Sequence, residues 1–214
     1  MTPHPPRPAK VINYYLLCNK LKNLIRTGWS VWHVERRRLE SVAEHIYGVQ
    51  MLAIAMQSEY HYDINLEKVI LMLAVHELEE ITIGDYIPFD ITKEEKQKLG
   101  HAAIREVLDN LELGDRIEEL ILKYDQCETP EAKFAHCCDK LEADIQGCLY
   151  DEEGCVWWPP KPNRLLEIPE VQQSVKNSSS FSDAWLCFSQ HANPYDSNFL
   201  EVLEYLKSKF ATKK

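Results

Sequence analysis

Apolar residues recur at Ile12, Tyr15, Leu16, Leu21, Leu24 and Ile25, a helical spacing over residues 11–25 that Thr27 and Gly28 interrupt. Residues 28–39 (GWSVWHVERRRL) are aromatic and basic without a clean period, so a loop is expected there. Ser41, with Glu44 three positions on, forms the two halves of a capping box for a helix over 42–60. The inner face of that helix carries His45, Val49, Leu52, Ala53 and Met56. Residues 66–81 (LEKVILMLAVHELEEI) predict another helix, apolar almost all round until His76 and therefore central. Gly84 and Pro88 break the chain. Residues 92–111 and 116–124 then read as amphipathic helices joined at Gly114. Thr129-Pro130 opens a further helix, with proline in its first turn, that extends to about residue 150. Beyond Gly154 the pattern changes. VWWPPKP at 156–162 excludes regular helix, 177–180 is a polar linker, and short helices follow over 183–190 and 197–209. Residues 1–8 read as a loose tail, and no internal repeat is visible.

Composition agrees with an all-α fold. The 214 residues are 45% hydrophobic and include only 7 glycines. The expected organisation is a flexible tail over 1–10, a helical domain over 11–150, and an aromatic, proline-containing C-terminal extension over 151–214 packed on the same domain. A formal net charge of −10 argues against a nucleic-acid or acidic-lipid partner but leaves room for a small phosphorylated substrate. Seven cysteines, two of them adjacent at Cys137 and Cys138, do not form a secreted disulfide framework, and there is no CxxC pair for a structural zinc site. The longest apolar run, 69–75, is too short to span a bilayer. The N-terminal segment has charge and proline where a signal peptide needs an apolar run, so a cytoplasmic protein with no membrane partner is expected.

The chemistry concentrates where polar residues interrupt the apolar 66–81 segment. His76, Glu77 and Glu80 leave one side of that predicted helix, and buried charges cost several kcal/mol each unless paired or bound to metal. His45 and Asp139, on two other predicted helices, are available partners. Two imidazoles and two carboxylates form a mixed N/O set suited to one divalent ion: Mn, Fe, Co, Ni or Zn. Singly, each feature has a plainer reading: a packed core histidine, a solvated Glu77-Glu79-Glu80 face, a surface Asp139-Lys140 ion pair. A zinc-protease HExxH motif is excluded because position 80 is Glu.

Four segments occur in order: RTGW at 26–29, ESVAEH at 40–45, AVHELEEITIGD at 74–85, and TPEAKF followed by DKLE between 129 and 142. Together with His45, His76-Glu77 and Asp139, this resembles the HD-domain metal-dependent phosphohydrolases, in particular their 5′-deoxynucleotidase-like subgroup. The resemblance spans about residues 20–150. It implies an HD-type helical bundle of about five core helices with a C-terminal helical extension, and commonly a homodimer. It further implies metal binding by His45, His76, Glu77 and Asp139, acid–base work by Glu80 and Asp85, and substrate binding by Arg26 and Trp29. The implied reaction is hydrolysis of a nucleoside 5′-monophosphate by metal-activated water. The family signature has Asp where this chain has Glu77. That departure leaves two alternatives open: another phosphate ester as substrate, or a catalytically weak module that binds metal or nucleotide. His33 and His136 are expected to pack or to support the site.

Overall fold

The computed structural model describes residues 5–86, 92–109 and 111–211. Among them there is no β-strand, only an isolated antiparallel bridge between Ile25 and Ser41. The helices are α1 (Arg7–Cys18), α2 (Thr27–Val31), α3 (Val42–Tyr60), α4 (Leu66–Val75), α5 (Glu80–Ile83) and α6 (Lys93–Leu108). They continue as α7 (Gly114–Gln126), α8 (Pro130–Glu152), α9 (Pro169–Lys176), α10 (Phe181–Ala192) and α11 (Ser197–Ala211).

Helix α3 begins where its caps dictate. The Ser41 side chain accepts from the Glu44 N–H, and Glu44 reaches back to the Ser41 N–H at 2.9 Å. Val49, Ala53 and Met56 then pack with Val69, Met72 and Leu73 of α4 and with Ala135, Cys138 and Leu141 of α8. Leu186 of α10 and Phe199 and Leu203 of α11 bury into this same cluster, so the chain beyond residue 150 shares the central core. A second, aromatic cluster joins Trp29, Trp32, Tyr150, Val156, Val171 and Phe181. All seven cysteines are free. Among the described residues no helix is long and apolar enough to cross a membrane.

Several expectations are corrected. The first helix starts at Arg7, inside the expected tail, and ends at Cys18; a 3₁₀ turn, Asn19–Lys22, follows. The expected loop at 28–39 contains part of the short helix α2, which Trp29 within it and Trp32 at its C-cap anchor in the aromatic cluster. Helix α9, preceded by a 3₁₀ turn at Arg164–Glu167, was not expected. The break expected at Pro88 lies outside the described residues.

The most consequential correction concerns 66–81, which is not one helix. Helix α4 ends at Val75, and the chain tightens into i→i+3 hydrogen bonds, Leu78 N–H to Val75 C=O at 3.2 Å and Glu80 N–H to Glu77 C=O at 3.2 Å. Side chains three apart eclipse in such a turn, so Glu77 and Glu80 stand in line. The segment that bears the chemistry is where the regular helix stops.

Candidate metal centre and its cavity

Helix α3 delivers His45 one turn after its cap, the turn after α4 delivers His76 and Glu77, and the middle of α8 delivers Asp139. One donor atom from each of the four lies within 4.8 Å of the others. His45, His76 and Asp139 are almost fully buried.

The hydrogen bonds around the cluster fix which imidazole nitrogens face it. Nδ1 of His76 lies 2.8 Å from the Leu73 carbonyl, which only accepts, so Nδ1 carries the proton. Nε2 of His76 is then a bare lone pair, and it is a buried atom without a hydrogen-bond partner, 3.6 Å from Glu77 Oε1. His45 stands between two carboxylates, with Nδ1 2.6 Å from Glu142 Oε2 and Nε2 3.0 Å from Asp139 Oδ1. The second oxygen of Asp139 accepts from Tyr124 Oη at 3.0 Å and from Lys140 Nζ at 2.9 Å. A carboxylate that holds the far nitrogen of a histidine is the usual support of a metal-ligating imidazole. The donor set and the orphaned Nε2 of His76 therefore fit a divalent metal ion.

The buried groups shift one another's ionisation. Burial and the nearby Arg26 guanidinium push the His45 pKa down, but the hydrogen bonds its ring nitrogens make to the Asp139 and Glu142 carboxylates outweigh them and lift it to about 9. Burial pushes His76 the other way, towards the neutral imidazole a metal requires. Glu80 is driven up to about 11 by burial first and then by the neighbouring Glu77 and Asp85 carboxylates, so it holds a proton at neutral pH.

The cluster opens onto a cavity of about 420 Å³, a size suited to a small organic ligand. Arg26, Glu77, Glu80, Asp85, Lys96 and Asp139 line it. Arg26 is held against Glu40, its Nε 3.9 Å from Oε2. Lys96 Nζ stands 3.5 Å from Glu80 Oε1. A larger groove, about 620 Å³, runs between α9 and α10, but none of the clustered donors faces it.

All eight residues singled out from the sequence meet around this one cavity or its floor, though two differ in environment from the expectation. Trp29 is 2% exposed and packs edge-on to Tyr150, and its indole N–H is taken by Glu40 Oε2 at 2.8 Å. It forms a wall fixed in the core. Asp85 Oδ2 accepts the Thr27 N–H at 2.6 Å, and its carbonyl accepts from the Thr27 hydroxyl at 2.7 Å, so it clamps the turn that carries Arg26. Sequence reasoning missed Lys96, Tyr124 and Glu142. Glu142 was detectable, being three residues from Asp139 on the same helix face. Lys96 sits on an ordinary amphipathic pattern and carries no such signal. His136 stacks on the Tyr124 ring at 3.9 Å, one layer behind Asp139, while His33 is exposed near Pro162. The aromatic 156–158 stretch divides: Val156 enters the aromatic cluster with Trp158 packed against it, and Trp157 lies exposed under Lys161.

Comparison with known proteins agrees with this architecture. A Dictyostelium discoideum protein named 5′-deoxynucleotidase HDDC2 is 37% identical over 153 residues, covering 68% of this chain and 80% of that protein. Its namesake from Danio rerio is 33% identical over 162 residues, covering 74% of this chain and 76% of that protein. A predicted metal-dependent phosphohydrolase from Magnetospirillum magnetotacticum superposes with a TM-score of 0.66 at 20% identity, covering 99% of this chain and 96% of that one. A conserved hypothetical protein from Pyrococcus furiosus also gives 0.66, at 24% identity, over 92% of this chain and 99% of that one. These two likenesses show the fold. Residues 18–157, well over half of the chain, match the HD domain family, and the chain belongs to it.

Proposed function

We propose that this HD-domain protein is a metal-dependent phosphomonoesterase that hydrolyses (deoxy)nucleoside 5′-monophosphates. The observation that carries the reading is the meeting of four metal-capable donors with three cations, Arg26, Lys96 and Lys140, on one cavity of a chain whose net charge is −10. Relatives named 5′-deoxynucleotidases support the substrate class.

His45, His76, Glu77 and Asp139 hold the ion, which when bound supplies a Lewis acid that activates water and neutralises phosphate charge. The donor set suits Mn, Fe, Co, Ni or Zn. Arg26 offers a planar fork to two phosphate oxygens, and Lys96 and Lys140 meet the charge that grows as the P–O5′ bond breaks. The oxygen of water bonds to phosphorus as the P–O5′ bond breaks, the leaving 5′-oxygen takes the proton that Glu80 carries, and the proton that water gives up restores the Glu80 acid. Asp85 works mainly by position, because its carboxylate is engaged with Thr27. Trp29 closes one wall. The working form in this reading is a cytoplasmic homodimer that binds no nucleic acid. The exposed apolar side chains Val11, Ile12, Tyr15 and Leu16 on α1 support a contact between copies.

The test is phosphate release from nucleoside monophosphates by metal-stripped protein restored with Mn, Co, Fe, Ni or Zn, beside His76→Ala and Glu77→Asp. Restored wild type turns over and His76→Ala does not. Wild type silent with every metal, together with activity gained in Glu77→Asp, overturns the enzyme reading in favour of a binding module.

A further inference from the structure

The cavity continues past the metal cluster. Helix α8 carries Asp139 at the cluster and Ala143 one turn further on, and five residues of helix advance about 7.5 Å to Asp144. Opposite this stretch stand Trp185, Phe188, Ser189 and, at the C-cap of α10, Asn193. All four lie outside the 18–157 span of the family match.

These side chains are organised around Asp144. Its Oδ1 accepts the Trp185 indole N–H at 2.8 Å, and its Oδ2 accepts the hydroxyls of Ser189 and Tyr195, each at 2.7 Å. Ser189 has one proton and gives it to Asp144, so its oxygen accepts from the Asn193 amide, Nδ2 to Oγ at 2.8 Å. This relay sets the amide: nitrogen towards Ser189, carbonyl oxygen on the other branch. A buried carboxylate held by three donors thus orients one polar group on an otherwise aromatic wall.

We propose that this α10 wall is the leaving-group subsite, in which Phe188 takes the flat face of a nucleobase and the Asn193 amide, oriented through Ser189 and Asp144, sets which base is preferred. The proposal rests on the nucleotidase reading and deepens it. Aromatic faces accept any base, whereas a fixed amide distinguishes bases by their pattern of donors and acceptors. Asn193 is a specificity residue, and Ser189 and Asp144 are positioning residues.

The test measures kcat/KM for the four deoxynucleoside 5′-monophosphates and for deoxyribose 5-phosphate, which has no base. Metal-restored wild type is compared with Asn193→Ala, Phe188→Ala, Ser189→Ala and Ser189→Thr. In Asn193→Ala the spread between best and worst base shrinks at least tenfold, while the rate on deoxyribose 5-phosphate stays at the wild-type level. Ser189→Ala shrinks the spread to a lesser degree, and Ser189→Thr, which keeps the hydroxyl, restores it. Phe188→Ala raises KM for every nucleotide and not for the sugar phosphate. An unchanged base ranking in Asn193→Ala, an equal loss on the base-free substrate, or a wild type indifferent to base each overturns the proposal while leaving the nucleotidase reading intact. A wild type that releases phosphate from no nucleotide overturns both.

Discussion

Glu142 holds Oε2 2.6 Å from Nδ1 of His45, turning the opposite ring nitrogen towards Asp139. The approach depends on Gly48, one turn along α3 from Glu44. A Cβ on Gly48 would stand 2.6 Å from Glu142 Oε1, inside contact distance. Glu142→Gln is therefore expected to weaken metal affinity about 10- to 100-fold, the usual cost of losing such a support. Gly48→Ala, which displaces the same carboxylate from a different helix, is expected to act in the same direction. Chelator competition on the purified proteins reads both. Unchanged affinity in both variants would mean that Glu142 does not support a ligand.

Glu80 is buried, and burial together with the Glu77 and Asp85 carboxylates holds its proton, pushing its pKa up to about 11. A group with a raised pKa is active as an acid below that pKa and fails as pH rises through it. A bound cation favours the carboxylate and draws the value down, so the alkaline limb of the kcat profile is expected below pH 11. Glu80→Gln keeps shape and hydrogen bonding but has no proton to give. It is expected to lower kcat about 10²- to 10⁴-fold and to abolish that limb. A Glu80→Gln enzyme with the wild-type limb would assign the ionisation to another group.

Lys96 reaches Glu80 from α6, whereas Lys140 pairs directly with the ligand Asp139. The two cations line one cavity but are expected to fail differently on removal. Lys96→Ala is expected to reduce kcat/KM about tenfold with metal content intact, since it takes away charge near the phosphate only. Lys140→Ala is expected to disturb metal content as well, because Asp139 loses a hydrogen bond. Elemental analysis beside steady-state kinetics separates the two, and equal metal content in both variants would refute the distinction.

What was legible in the chain follows the range of the interaction. The Ser41 and Glu44 capping box is local, and α3 begins where it says. Gly114 and Thr129-Pro130 likewise mark where α7 and α8 begin. The four metal-capable residues were readable because charges in an apolar context need compensation. The end of α4 at Val75 was not readable, since apolar positions keep a near-helical spacing through Val75, Leu78 and Ile81, and the turn there is set by packing of those three residues with α6 and α7. Helix α2 carries no period because Trp29 within it and Trp32 at its C-cap are placed by a cluster built largely from residues more than a hundred positions away. Lys96 and the Asp144 network depend on which helices meet, which single-chain patterns do not encode.

Asp144 also makes stability depend on pH in a specific direction. Burial pushes its pKa up from 3.8, the hydrogen bonds from Ser189, Tyr195 and Trp185 pull it part of the way back, and it settles at about 6. The folded state thus binds this proton more tightly than the unfolded chain does. The associated stabilisation is full below pH 3.8 and is lost as pH rises through about 6, beyond which the contribution is flat. Asn at this position cannot titrate. The stability of wild type minus that of Asp144→Asn is therefore expected to fall between pH 4 and 6 and to level off above. Denaturant melts of both proteins at several pH values across that window measure the difference. A difference that rises with pH would mean that the three donors hold the ionised carboxylate more strongly than burial opposes it.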